Sequence, residues 1–70
     1  MAEMRASMAG TIFKVLVQKD DQVQTGQDVI VLESMKMEIP LQAETSGTVS
    51  QVHVEEGQFV NEGDPLLIID

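Results

Sequence analysis

Ala6-Ser7-Met8-Ala9-Gly10-Thr11-Ile12 and Ala43-Glu44-Thr45-Ser46-Gly47-Thr48-Val49 are two copies of one motif, and the match decides the fold. With Ala6 laid on Ala43, the alignment runs without a gap from Met4 to Asp70. Val15 falls on Val52, Val17 on Val54, Val23 on Val60 and Gly26 on Gly63. Val29-Ile30-Val31-Leu32-Glu33 falls on Leu66-Leu67-Ile68-Ile69-Asp70. The matched positions are apolar residues and glycines, which set a core and its turns. Internal repeats mark units that bury their apolar faces against one another. Two copies are too few for a solenoid. They predict two halves, about 4–33 and 41–70, related by a pseudo-two-fold axis around one shared core.

Each half reads as β. Thr11–Val17 and Thr48–Val54 are predicted strands, the second alternating at Val52, His53 and Val54. Lys19-Asp20-Asp21-Gln22 and Glu55-Glu56-Gly57-Gln58 are predicted turns, as are Thr25–Asp28 and Asn61–Pro65. Gly10, Gly26, Gly47 and Gly63 are read as structural turn positions. Val23-Gln24 and Phe59-Val60 leave room only for very short strands, and Met4–Ala6 and Leu41–Ala43 are weaker strand candidates. About four strands per half with no helical period predict an all-β antiparallel sandwich or flattened barrel, one domain over residues 1–70.

Composition narrows the function. At 70 residues the chain is near the size where a hydrophobic core alone is marginal, and with no cysteine neither a disulfide nor a zinc-thiolate site supports it. Phe13 and Phe59 are the only Phe, Tyr or Trp residues, so Val, Ile and Leu are expected to build the core, with Met as a further candidate. The net charge of −8 argues against nucleic acid and anionic membranes as partners, and favours basic protein surfaces. No apolar run approaches the roughly 18 residues of a membrane span. Met1-Ala2-Glu3 has none of the features of a signal peptide. A cytoplasmic, monomeric protein is expected.

The residues exclude most catalytic chemistry. There is no Cys, Tyr or Trp and a single histidine, and the sequence supports no Ser-His-Asp arrangement. His53, in an alternating strand, is expected to face solvent. Asp20-Asp21 and Glu55-Glu56 occupy equivalent turns, where solvated carboxylates are a better reading than a metal site. The five glycines do not form a phosphate loop. A non-catalytic protein without a metal is expected.

The junction between the halves is Glu33-Ser34-Met35-Lys36-Met37-Glu38-Ile39-Pro40. The chain reverses between Val29–Leu32 and the next strand candidate, yet the reversal (34–40) has no Gly, Asn or Asp, the residues tight hairpins favour. A local rule broken at one place points to function. The mate of Glu33 is Asp70, so the residues after Glu33 have no counterpart in the second half. Pseudo-symmetry then places this tip and the chain termini at opposite poles, with Lys36 projecting from one. Chemically, an exposed lysine is a covalent attachment point once a modifying enzyme removes its proton and supplies an activated acyl group. Met35 and Met37 would add soft, adaptable flanking contacts, and Glu33 and Glu38 a charge signature. An ordinary solvated lysine on a hairpin fits the same residues equally well.

Taken together, the chain resembles the biotinyl/lipoyl carrier domain family. The resemblance is carried by Glu33-Ser34-Met35-Lys36-Met37-Glu38, by Ala9-Gly10-Thr11 and Ser46-Gly47-Thr48, and by the two Val-x-x-Gly elements ending at Gly26 and Gly63. It covers Met4 to Asp70. It implies a flattened barrel of two four-stranded antiparallel sheets, with Lys36 acylated by biotin and Met35, Met37, Glu33 and Glu38 read by a biotin protein ligase. Biotin carriers of this family carry Met on both sides of the lysine, as here, whereas lipoyl domains carry Asp before it and Ala after it. Ile12–Gln22 aligns on Val49–Phe59 without an insertion, so the protruding thumb of acetyl-CoA carboxylase carriers is absent. The chain is more similar to carrier segments of pyruvate, acyl-CoA and transcarboxylase systems, and to small biotin/lipoyl attachment proteins.

The resemblance thus implies a biotin carboxyl carrier. Its lysyl arm, about 14 Å when extended at covalent spacing, would move a carboxyl group from a biotin carboxylase to a carboxyltransferase. The alternatives are a lipoyl carrier of a 2-oxoacid dehydrogenase or glycine cleavage system, a dual biotin/lipoyl acceptor, and an unmodified β-sandwich assembly module.

Overall fold

Small alternating β segments can bury one face only by stacking two sheets, and the computed structural model, which describes residues 2–70, does this with eight strands. In chain order they are β1 (Ala2–Arg5), β2 (Gly10–Val15), β3 (Gln22–Val23), β4 (Asp28–Ser34), β5 (Met37–Gln42), β6 (Gly47–Val52), β7 (Phe59–Val60) and β8 (Pro65–Ile69). One sheet has the order β1-β8-β6-β3 and the other β5-β4-β2-β7, with every pair antiparallel. The flattened barrel of two four-stranded sheets is therefore the observed fold. Replacing β1, β2, β3 and β4 by β5, β6, β7 and β8, and the reverse, turns one sheet order into the other. Each sheet takes strands from both halves, so the halves are interleaved and neither buries its apolar face alone.

The core follows the repeat. Ile12, Ile30, Leu32 and Val60 from one sheet meet their mates Val49, Leu67, Ile69 and Val23 from the other, all buried. Each such side chain contributes about 1.5–3 kcal/mol of transfer free energy. The irregularities repeat as well. The β2–β4 register shifts between Ile12 and Lys14, and the β6–β8 register shifts at the equivalent place, between Val49 and Gln51. Each shift is a bulge that turns two successive side chains away from the core, Phe13 with Lys14 and Ser50 with Gln51.

Three sequence readings change. The predicted strands Thr11–Val17 and Thr48–Val54 end at Val15 and Val52, although Leu16 and His53 still donate backbone hydrogen bonds to Val29 (2.9 Å) and Leu66 (2.8 Å). The 34–40 connection is nearly all strand, since β4 runs to Ser34 and β5 starts at Met37. Gly10 and Gly47 open strands and do not sit in turns. Their role is close approach: a Cβ on Gly10 would lie 2.6 Å from the Glu33 carbonyl oxygen and 3.0 Å from Leu32 Cγ, and one on Gly47 would run into the Asp70 carbonyl. Gly26 and Gly63 do occupy turns, with φ of 90° and 89°.

Strand β2 starts beside Glu33 at the β4–β5 tip and runs away from it. The chain then reaches β3, where Asp21, Gln22 and Val23 bond to Gly47–Val49, and Thr48 bonds to Asp70. The hairpin tip and Asp70 therefore lie at opposite poles of a body measuring 31 × 18 × 17 Å. Strand β7 pairs with Gly10 and Thr11, so Phe59 lies toward the hairpin pole.

Gly10→Ala tests the close packing that seats β2 against β4. The added methyl must push the Glu33 carbonyl aside, and we expect a loss of about 1–3 kcal/mol in urea unfolding; a loss under about 0.5 kcal/mol would contradict the close approach.

Candidate functional site

The β4–β5 ladder sets the site. Val31 pairs with Pro40, Leu32 with Ile39, Glu33 with Glu38 and Ser34 with Met37, which leaves only Met35 and Lys36 to reverse the chain. Strand β5 lies at the sheet edge, which is why Pro40, with no N–H to donate, is accommodated there. A two-residue connection between twisted antiparallel strands calls for positive φ at both central residues. Met35 and Lys36 adopt φ of 52° and 64°. Among the described residues the only other non-glycine with positive φ is Asp20, in a turn where its repeat mate is Gly57. The left-handed conformation costs an ordinary residue roughly 1–2 kcal/mol.

The tip is open. Met35 is 91% exposed and Met37 62%, so neither methionine packs into the core, and Lys36 between them is exposed as well. Among the described residues the only ion pair is Arg5 with Glu3, so no carboxylate holds the Lys36 ammonium. Glu33 and Glu38 are exposed and stand directly across from each other. Like charges in that position are unfavourable. The hairpin thus combines a strained turn, two exposed methionines and a like-charged pair around one amine whose backbone is fixed and whose side chain is unrestrained. Chemically, this arrangement offers an amine for acylation and little else.

The other candidates do structural work or none. The Asp21 carboxylate accepts the Gln18 N–H at 2.8 Å, and the Asp64 carboxylate accepts the Asn61 N–H at 2.8 Å, each closing its own turn. Glu56 accepts the Val15 N–H at 3.1 Å. His53 is exposed. No cluster of His, Asp and Glu among the described residues could hold a metal ion.

With this geometry in view, the family model described as "Biotin-requiring enzyme" (Biotin_lipoyl) matches residues 2–69. The chain belongs to the biotin/lipoyl family. It is 58% identical over 60 residues to the "Biotin/lipoyl attachment protein" of Bacillus subtilis (strain 168), covering 86% of this chain and 82% of that one. It is 52% identical over 66 residues to the "Biotin carboxyl carrier protein" of Streptococcus mutans, covering 94% of this chain and 51% of the relative. Among solved structures, a single-chain, multi-domain long-chain acyl-CoA carboxylase superposes with a TM-score of 0.89 at 38% identity, over 94% of this chain and 6% of that one. This biotin/lipoyl chain therefore spans most of one relative, about half of another and a small segment of a large enzyme.

Sequence alternation does not reveal one exposed feature. Phe13, Leu16 and Phe59 are 41%, 49% and 61% exposed, whereas a small protein with two aromatics is expected to bury them. The signal was in the repeat, where their mates are the polar Ser50, His53 and Gln22.

The strain at the tip predicts a gain on removal. Replacing Met35-Lys36 by Asn-Gly supplies residues that adopt positive φ readily, and should stabilise the domain by about 1 kcal/mol after the added chain entropy of glycine. Equal or lower stability in thermal unfolding would show that the turn is unstrained.

Proposed function

We propose that this chain is a biotin carboxyl carrier and that Lys36 is its attachment residue. The observation that carries the reading is Lys36 itself: an exposed, unpaired amine on a two-residue left-handed turn, at the one junction of the fold that has no symmetry mate. The fit to a covalently held group is good. The Lys36 amine, once deprotonated in a biotin protein ligase, attacks the carbonyl carbon of biotin activated as its adenylate; the C–N amide bond forms as the bond to the departing AMP breaks, with loss of the lysine's positive charge. The attached biotin supplies a ureido nitrogen that accepts and gives up a carboxyl group.

The rest of the chain positions and steers. The β4–β5 ladder fixes the Lys36 Cα while the side chain stays free to swing, and tethering gives a high effective concentration at both partner sites. Met35, Met37, Glu33 and Glu38 surround the amine and form the frame read by the ligase. The partners are a biotin carboxylase and a carboxyltransferase, met in the cytoplasm by a monomeric domain. A net charge of −8, made more negative by acylation, speeds encounter with basic docking faces and makes that encounter salt-sensitive. The similarity to a relative described as a biotin/lipoyl attachment protein supports lipoate as the second cargo.

Co-expression with a biotin protein ligase should give an intact mass raised by one biotinyl group and quantitative capture on avidin. Lys36→Arg should abolish both while leaving unfolding unchanged. A wild-type chain without adduct in biotin-replete and lipoate-replete cells would refute the carrier reading, and a lipoyl increment in its place would make this a lipoyl carrier.

A further inference from the structure

The two sheets have the same backbone and different outer surfaces. Every strongly exposed large hydrophobic residue among those described (Met8, Phe13, Leu16, Met35, Met37 and Phe59) lies in, or within two residues of, β2, β4, β5 or β7 of the lysine-bearing sheet. The symmetry mates on the other sheet are polar: Ser50 for Phe13, His53 for Leu16, Gln22 for Phe59 and Thr45 for Met8. The fold therefore contains its own control. The same bulge and the same short edge strand are stable with Ser50 and Gln22, so nothing in the architecture requires Phe13 and Phe59 to be aromatic.

These residues form one face. Phe59 pairs with Thr11, which pairs with Glu33 of the lysine hairpin, and Phe13 is two residues along β2 at the bulge. Lys14 Nζ lies 6.0 Å from the Phe13 ring centre. Leu16 continues the apolar line past the end of β2. The Glu55–Gln58 turn is tied to the same strand: Gly57 donates to the Ile12 carbonyl at 2.7 Å, and the Glu56 carboxylate accepts from Val15. Aromatic residues thus sit between the acidic groups Glu55 and Glu56 on one side and Glu33 and Glu38 on the other.

We propose that this face docks the carrier on the biotin carboxylase, through an apolar pocket bordered by Arg or Lys that receives Phe59 and Phe13. The assignment rests on the carrier reading above. Charge decides the kind of occupant. A second copy would set the glutamate border against itself in a chain already at −8, whereas a basic border is attracted to it. Position supports the same choice, because Phe59 lies toward the lysine pole and contact there would seat Lys36 beside the partner's active site. Aromatic residues, phenylalanine among them, are enriched in the buried centres of protein–protein interfaces.

The test gives this face the residues of its symmetry mates. Phe13→Ser with Phe59→Gln, and separately Leu16→His, should fold normally, since each introduces what the other sheet already carries. With purified biotin carboxylase and biotinylated carrier as substrate, the double variant should raise KM about tenfold or more, with kcat and the carboxylation of free biotin unchanged. Leu16→His should raise KM several-fold. Wild-type KM should rise with salt between about 50 and 300 mM. A KM within twofold of wild type would overturn the proposal while leaving the carrier reading intact. So would a wild-type chain that dimerises through this face in sedimentation, or a double variant that the ligase loads several-fold more slowly. Failure of the ligase to load Lys36 in the wild type would remove the carrier reading, and this partner with it.

Discussion

The register of β4 on β5 is the constraint on which the site depends. Leu32 is fully buried on a strand that β2 also holds, and Ile39 and Leu41 of the edge strand β5 are half-buried on the same side, so β5 cannot slip by one residue without turning Ile39 and Leu41 out to solvent. That register leaves two residues for the reversal and forces both into the left-handed region. The residues there are methionine and lysine, neither suited to it. The core therefore holds the tip in a conformation that its local chemistry opposes, and the strain is borne where the amine is presented.

Pseudo-symmetry makes the tip unique. Strands, bulges, close-approach glycines and core residues all occur in pairs, and the two sheets are interchangeable in outline. Two features escape the pairing: the Met35-Lys36 turn and the apolar outer face of the sheet that carries it. Both lie on the same sheet, and Phe59 shares the lysine pole. A repeat constrains the frame in both copies, and its departures mark the places where the two copies do different work.

Much of this was legible in the sequence. The gap-free repeat implied two halves around one core, though not that they interleave, and the predicted strand Thr48–Val54 matched β6 to within two residues at each end, with His53 and Val54 beyond it. Lys36 stood out as the one junction without a mate. The role of Gly10 and Gly47 was not legible, because close approach is a long-range property: the clashing atoms belong to Glu33 and Asp70, far along the chain. The shortness of the turn was hidden for a related reason. Glu38 and Pro40, on either side of Ile39, are poor strand signals, and pairing with β4 overrides their propensities. The exposure of Phe13 follows from a bulge, which period-two reading does not detect.

On the proposed carrier role, the left-handed turn position, and not exposure alone, makes Lys36 the acceptor. The most direct measurement exchanges Lys36 and Met37, giving Lys36→Met with Met37→Lys, and compares the rate of ligase-catalysed biotin transfer with wild type. The lysine stays exposed on the same hairpin with methionine before it, leaves the left-handed turn for the first position of β5, and takes Glu38 in place of methionine after it; Met37→Glu with Lys36 in place controls for that change of neighbour. We expect the exchange to lower the rate at least tenfold, with unchanged stability to unfolding. Loading within twofold of wild type would contradict it.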